Sequence, residues 1–99
     1  MTVVGSGGAV IKTITVLETF KRDYKKLDTQ MKDRVDAKLD DLLNDPRPPG
    51  LRFEKLKGYR RPDIYTIHVT GNYKISLEIA GTDARLRRVG PHNYIDRTP

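Results

Sequence analysis

Apolar and polar positions change their period along this chain, and each change marks an element. Val10, Ile11, Ile14 and Val16, interleaved with Thr13 and Thr15, form a β-rich run from Val10 to Leu17 that predicts a strand. Phe20, Tyr24 and Leu27 then recur at i, i+4 and i+7. That is one face of a short helix whose other, solvated face carries Lys21, Arg22, Lys25 and Lys26. Asp28 is placed to cap a second, longer helix with an inward stripe of Met31, Val35, Leu39, Leu42 and Leu43. Asn44-Asp45-Pro46 stops it, because proline disfavours helical geometry in the residue before it. Two helices joined this tightly predict an αα-hairpin.

After the Pro/Gly-rich connector 46–50 the period becomes two. Tyr65, Ile67 and Val69 alternate with Thr66 and His68 within 63–70, and Tyr73, Ile75, Leu77 and Ile79 alternate with Lys74, Ser76 and Glu78 within 72–79. A noisier third strand covers 84–90. Opposed residues on antiparallel strands share a face, so polarity selects the register. A two-residue Gly71-Asn72 turn sets His68 against Ile75. A three-residue Thr70-Gly71-Asn72 loop instead matches Ile67 with Ile75, Thr66 with Ser76 and His68 with Lys74, with glycine supplying the positive φ such loops often use. The second register is expected. In the next hairpin, with 80–83 as loop, Ile79 meets Ala84, Glu78 meets Arg85, Leu77 meets Leu86 and Ser76 meets Arg87. The match fails at Arg88 and Val89, which predicts a bulge or an early strand end there. The fold class expected is α+β: an N-terminal strand, an αα-hairpin, then a three-stranded antiparallel meander. Residues 1–8, with three glycines and a serine, read as a flexible start, and 9–99 as one domain.

Composition narrows the chemistry. At 99 residues there is room for one small domain, and with no Cys there is no disulfide framework, thiolate nucleophile or Cys-based zinc site. No run approaches the roughly 18 apolar residues of a spanning helix, and the start lacks a basic-then-apolar signal pattern, so a cytoplasmic protein without membrane contact is expected. The net charge is +6. Residues 1–45 carry eight basic and eight acidic side chains, whereas 46–99 carry eleven basic and five acidic. The whole excess sits in the strand half, as a polyanion-binding face would require. Charge alone does not separate RNA from DNA or from an acidic protein.

The polar face of the predicted meander collects Thr66, His68, Lys74, Ser76 and Arg87, with Pro91, His92, Asn93 and Tyr94 just beyond. Cleaving RNA through its own 2′-hydroxyl needs a base for that hydroxyl, an acid for the leaving 5′-oxygen, and cations for the developing charge. His68 and His92 can divide the proton transfers because an imidazole titrates near neutrality. Lys74 and Arg87 can hold the charge, and no metal or other cofactor is needed. Each residue also has a plainer reading. Strand histidines and lysines are commonly incidental surface, His92 can cap a turn, and Tyr94 can close the core as easily as stack on a base. Arg60 and Arg61, like Arg85 and Arg88, are either phosphate contacts or basic surface.

Four stretches in this order resemble the RelE/ParE superfamily of bacterial toxins. "ETFKRDYKKL" (18–27) is similar to the first helix of these toxins. "LKGYRRPDIYTIHV" (56–69) and "GNYKISLEI" (71–79) are similar to their second and third strands, and "RRVGPHNYIDR" (87–97) to the closing Val-Gly-x-His segment of the YafQ-like branch. The resemblance implies a type II toxin that cleaves mRNA in the ribosomal A site and is neutralised by a cognate antitoxin protein. It implies that His68 stands where YafQ-like toxins carry a catalytic-site His, Lys74 where RelE carries an Arg, and His92 where YafQ-like toxins carry a His. Tyr94 stands near the C-terminal aromatic, and Asn72 replaces a hairpin Asp of YafQ-like members. The ParE branch, which poisons DNA gyrase on the same fold, does not carry the paired histidines. The pair favours an mRNA endonuclease, with His92 as acid and His68 as base or the reverse. Gyrase inhibition and RNA binding without turnover are the rival functions.

Overall fold

The computed structural model describes residues 10–44, 47–59 and 62–99. The glycine-rich start, Asp45-Pro46, Arg60 and Arg61 lie outside the described residues. The elements run β1 (Thr13–Val16), α1 (Glu18–Lys25), α2 (Thr29–Leu43), a 3-10 turn (Pro49–Leu51), β2 (Glu54–Lys55), β3 (Tyr65–His68), β4 (Tyr73–Ala80), β5 (Asp83–Pro91) and α3 (His92–Arg97). The order along the sheet is β1-β5-β4-β3-β2. All neighbours are antiparallel except β1, which pairs parallel to β5. The meander is therefore the centre of a wider sheet, flanked by the N-terminal strand and by a two-residue β2 too short for its alternation to be read from sequence.

The helices form as their sequence directs. The Asp28 carboxylate accepts a hydrogen bond from the Met31 amide at 2.8 Å, capping α2. Phe20, Val35 and Leu42 are buried from the helix side against Ile67, Ile75, Leu77, Leu86 and Val89 from the sheet. Leu43 departs from the predicted stripe and is 40% exposed. It stands one residue beyond Leu42, about 100° further around the helix, and so turns away from the sheet.

The β3–β4 register is the polarity-matched one, with Ile67 opposite Ile75, Thr66 opposite Ser76 and His68 opposite Lys74. The loop is held differently from expectation. Positive φ occurs at Arg52, Gly58 and Gly81 among the described residues, and Gly71 does not use it. Instead the Thr70 hydroxyl accepts from the amides of Asn72 and Tyr73, both at 3.1 Å, so a side chain supplies what backbone freedom was expected to. The β4–β5 loop is tighter than predicted, because Ala80 pairs with Asp83 around Gly81-Thr82, with Gly81 at φ +64°.

The bulge is real but lies one residue earlier than expected. The register shifts between Ser76 and Leu77, so Ser76 pairs with Arg88 rather than Arg87, and Ile75 with Val89. The extra residue, Arg87, restores the alternation that otherwise fails, and Val89 returns to the core side.

Two devices finish the sheet. β1 covers β5 only over Asp83–Leu86. Beyond it α1 lies along the β5 edge, where the Thr19 hydroxyl donates to the Arg87 carbonyl at 2.6 Å. Asp23 accepts from the Val89 amide at 3.2 Å and from Arg88 Nε and Nη2, each at 3.0 Å. A strand edge that would otherwise be open is thereby closed. On the sheet face opposite α1 and α2, the short helix α3 lies over β4 and β5. Its Ile95 is fully buried, and its Cδ1 lies 3.7 Å from where a Cβ of Gly90 would stand. The sequence pattern predicted no helix here, since six residues are too few to display a period. The polar face is consequently not open: Thr66, Lys74 and Ser76 are all buried.

Candidate functional site

At one end of this covered face, three strands' worth of polar positions meet the start of α3. His68 and Lys74 face each other across β3 and β4, and Gly90 faces Lys74 from β5. The His92 amide donates to the Asn72 carbonyl at 2.6 Å, which ties the first residue of α3 to the β3–β4 hairpin. That bond brings the second histidine to the end of the sheet where the first one sits.

A carboxylate that the sequence pattern did not single out lies between Lys74 and His92. Asp96 Oδ1 accepts from Lys74 Nζ at 2.9 Å, and Asp96 Oδ2 is 4.0 Å from His92 Nδ1. Asp96 is at i+4 from His92, one helical turn along, a spacing that becomes a signal only once 92–97 is known to be helical. Lys74 is only 8% exposed, so its charge is desolvated and paired. The Tyr59 hydroxyl donates towards the carbonyls of Asp96 and Arg97 at 3.3 and 3.2 Å, anchoring the last turn of α3 independently of the carboxylate.

His68 is half-buried, and burial is the main reason its titration is pushed below the usual imidazole range. The positive charges of Lys74 and Arg52 push the same way, while Glu54 and Asp96 oppose them weakly. At pH 7 His68 is therefore neutral, the form that can accept a proton. Arg52 reaches this neighbourhood from a backbone at φ +54°, a left-handed conformation uncommon for a residue with a Cβ. Nothing in the sequence flags it.

The other candidates are placed as follows. Arg87 is in the bulge and donates to Glu78, with its Nε buried and without a hydrogen-bond partner. Arg85 lies 3.8 Å from the same carboxylate and is more exposed. Arg88 is engaged by Asp23, whose hydrogen bonds raise its already high pKa further, and its guanidinium stacks 4.9 Å from the Tyr94 ring. Tyr94 is 39% exposed. The structure thus sets His68 opposite Lys74, and brings Lys74 and His92 together on Asp96. It places Arg85 and Arg87 on Glu78 further along the sheet, and Arg88 with Tyr94 at the α1 edge. Arg60 and Arg61 are outside the described residues.

A separate hollow of about 680 Å³ lies between β1, α1 and α2, with Val16, Phe20 and Leu39 in its lining and Lys21, Lys25 and Lys32 at its rim. Neither histidine of the chain lines it. Among the described residues no group of three or more His, Asp or Glu is arranged to hold a metal ion, and no helix is long and apolar enough to cross a membrane.

No protein-family model matches the sequence, and no curated protein matches it significantly. Solved structures do match. A chain of the RelB–RelE antitoxin–toxin complex from Methanococcus jannaschii is 28% identical, aligned over 86% of this chain and 99% of that one, with a TM-score of 0.62. YafQ from E. coli is 17% identical, over 85% and 97% respectively, with a TM-score of 0.69. A chain of the archaeal RelE–RelB complex from Pyrococcus horikoshii is 17% identical, over 81% and 93%, with a TM-score of 0.64. The strand, helical hairpin and sheet described above, matched over nearly the full length of each of these chains, have the fold of the RelE and YafQ toxins.

Proposed function

We propose that this chain is the toxin of a type II toxin–antitoxin system and acts as a ribosome-dependent mRNA endonuclease. The observation that carries the reading is the meeting of His68, Lys74 and His92 at one end of the sheet, with His68 half-buried opposite Lys74. In the reaction the RNA 2′-oxygen attacks its own phosphorus and gives its proton to His68. The bond to the 5′-oxygen breaks, and that oxygen takes a proton from His92. The products are a 2′,3′-cyclic phosphate and a 5′-hydroxyl. Lys74 holds the charge that develops on the phosphoryl oxygens, while Arg87, expected from the sequence to share this role, is tied to Glu78 further along the face. Arg85, together with Arg60 and Arg61, supplies phosphate contacts, and Tyr94 stacks on a base; Arg88, held by Asp23, serves the fold instead. The M. jannaschii and P. horikoshii neighbours are toxin–antitoxin complexes, which supports an antitoxin as the protein partner here. The reaction places the protein in the cytoplasm, where translating ribosomes are.

The test is toeprinting of a defined mRNA on stalled ribosomes with the wild-type protein and a folded H68Q/H92Q variant. Cuts in the A-site codon by the wild type alone are expected. Cuts that persist in the variant discard these residues. An uncut mRNA beside gyrase-dependent DNA breaks discards the nuclease in favour of a gyrase poison.

A further inference from the structure

A site that binds a phosphodiester must offer its hydrogen-bond donors to the incoming oxygens, and here those groups already face an anion. One oxygen of Asp96 takes the Lys74 ammonium at 2.9 Å and the other faces the His92 ring at 4.0 Å. The two partners come from different elements, β4 and α3, so the carboxylate bridges groups that a phosphate's non-bridging oxygens would bridge. The two side chains differ in freedom. That of Lys74 is 10% exposed and fixed within the sheet, whereas that of Asp96 is 39% exposed at the protein surface. The backbone beneath Asp96 is held by Ile95, fully buried, and by Tyr59, so the carboxylate can rotate towards solvent while α3 stays in place.

We propose that Asp96 is an internal competitor for substrate: its carboxylate sits in the oxyanion seat between Lys74 and His92, and a phosphate enters only as Asp96 swings out. The identity of the ligand as an RNA phosphodiester rests on the proposed function, whereas the seat itself rests on the geometry. Such a device keeps a cationic site quiet towards free phosphates and leaves it to a substrate positioned by other contacts to displace the side chain.

The experiment uses the full chain and inorganic phosphate at pH 7 and constant ionic strength, followed by NMR of the lysine ammonium and backbone amide signals. Folded D96N is expected to bind phosphate about fivefold more tightly than the wild type, the scale of one half-exposed competing charge. Adding K74M to D96N is expected to remove the gain. Equal or weaker binding by folded D96N overturns the proposal, as does a gain that survives K74M.

If D96N does not fold, the wild type decides alone. The carboxyl carbon of Asp96 must shift with the same half-saturation as Lys74, and a Lys74 shift without it, or no phosphate-dependent shift at either residue, overturns the proposal. The ribosome assay keeps the two readings apart. A phosphate gain without mRNA cuts preserves the seat and discards the nuclease, and cuts without the gain do the reverse.

Discussion

Replacing Asp23 by alanine tests whether Arg88 is a structural clamp or a nucleic-acid contact. Asp23 receives both Nε and Nη2 of Arg88 and the Val89 amide, and with Thr19 it is how α1 grips the open half of β5. Both side chains are largely shielded, at 14% and 26% exposure, so water replaces little of what is lost. A charge-assisted, two-pronged pair contributes about 1.5–3 kcal/mol, and a buried amide left without an acceptor adds about 1 kcal/mol. The expected loss is about 3 kcal/mol, a large share of the roughly 5–15 kcal/mol that holds a domain folded. For a chain of this length that lowers Tm by roughly 12–24 °C.

D23N keeps an acceptor for the amide and is expected to lose about half as much. The assay is thermal and urea unfolding of D23A, R88M and the double variant. The cycle should show a coupling of about 1.5 kcal/mol or more, because either single change removes the same pair. Unfolding of D23A within about 3 °C of the wild type, or R88M that weakens RNA binding while leaving stability unchanged, refutes the clamp.

Two further outcomes are expected. Thr66 buries a hydroxyl without a hydrogen-bond partner, so T66V, which keeps the shape, should raise the urea midpoint by an amount worth about 1 kcal/mol; a lower midpoint at unchanged m means the hydroxyl has a partner after all. The depressed pKa of His68 means the unfolded chain binds its proton more readily than the folded one, so stability should fall as pH drops through the ordinary imidazole value, and fall less in H68Q; parallel Tm–pH curves for the two proteins refute it.

The parts of the fold legible in the sequence were those with a period long enough to count. The alternation in 65–69 and 73–79 fixes both the inward face and the Ile67–Ile75 register, because a slip of one residue would mix charge with apolar side chains. The same test located a fault in the last strand, and the structure resolves it by inserting Arg87. What stayed hidden lacked a period or depended on distant chain. β2 is two residues long, α3 is six, and the φ of Arg52 leaves no mark on its neighbours. For the site, the meeting of His68 with Lys74 followed from register alone. Asp96 did not, since its role depends on α3 turning back over the sheet. Arg88 looked like a free cation because the carboxylate that holds it is 65 residues away.

The parallel pairing of β1 with β5 also sets an order of events during synthesis. Thr13 bonds to Asp83, 70 positions further along the chain, so the first strand to be made must wait for the last strand of the sheet. At about 5–20 residues per second, that is a wait of roughly 4–14 seconds in which the threonine-rich segment has no strand to join. The helical hairpin and the β3–β4 hairpin, built from nearby residues, can form within that interval. The stretch from β5 to α3 that closes the sheet also carries His92, so a nascent chain gains its finished sheet edge and the second histidine of the candidate site together.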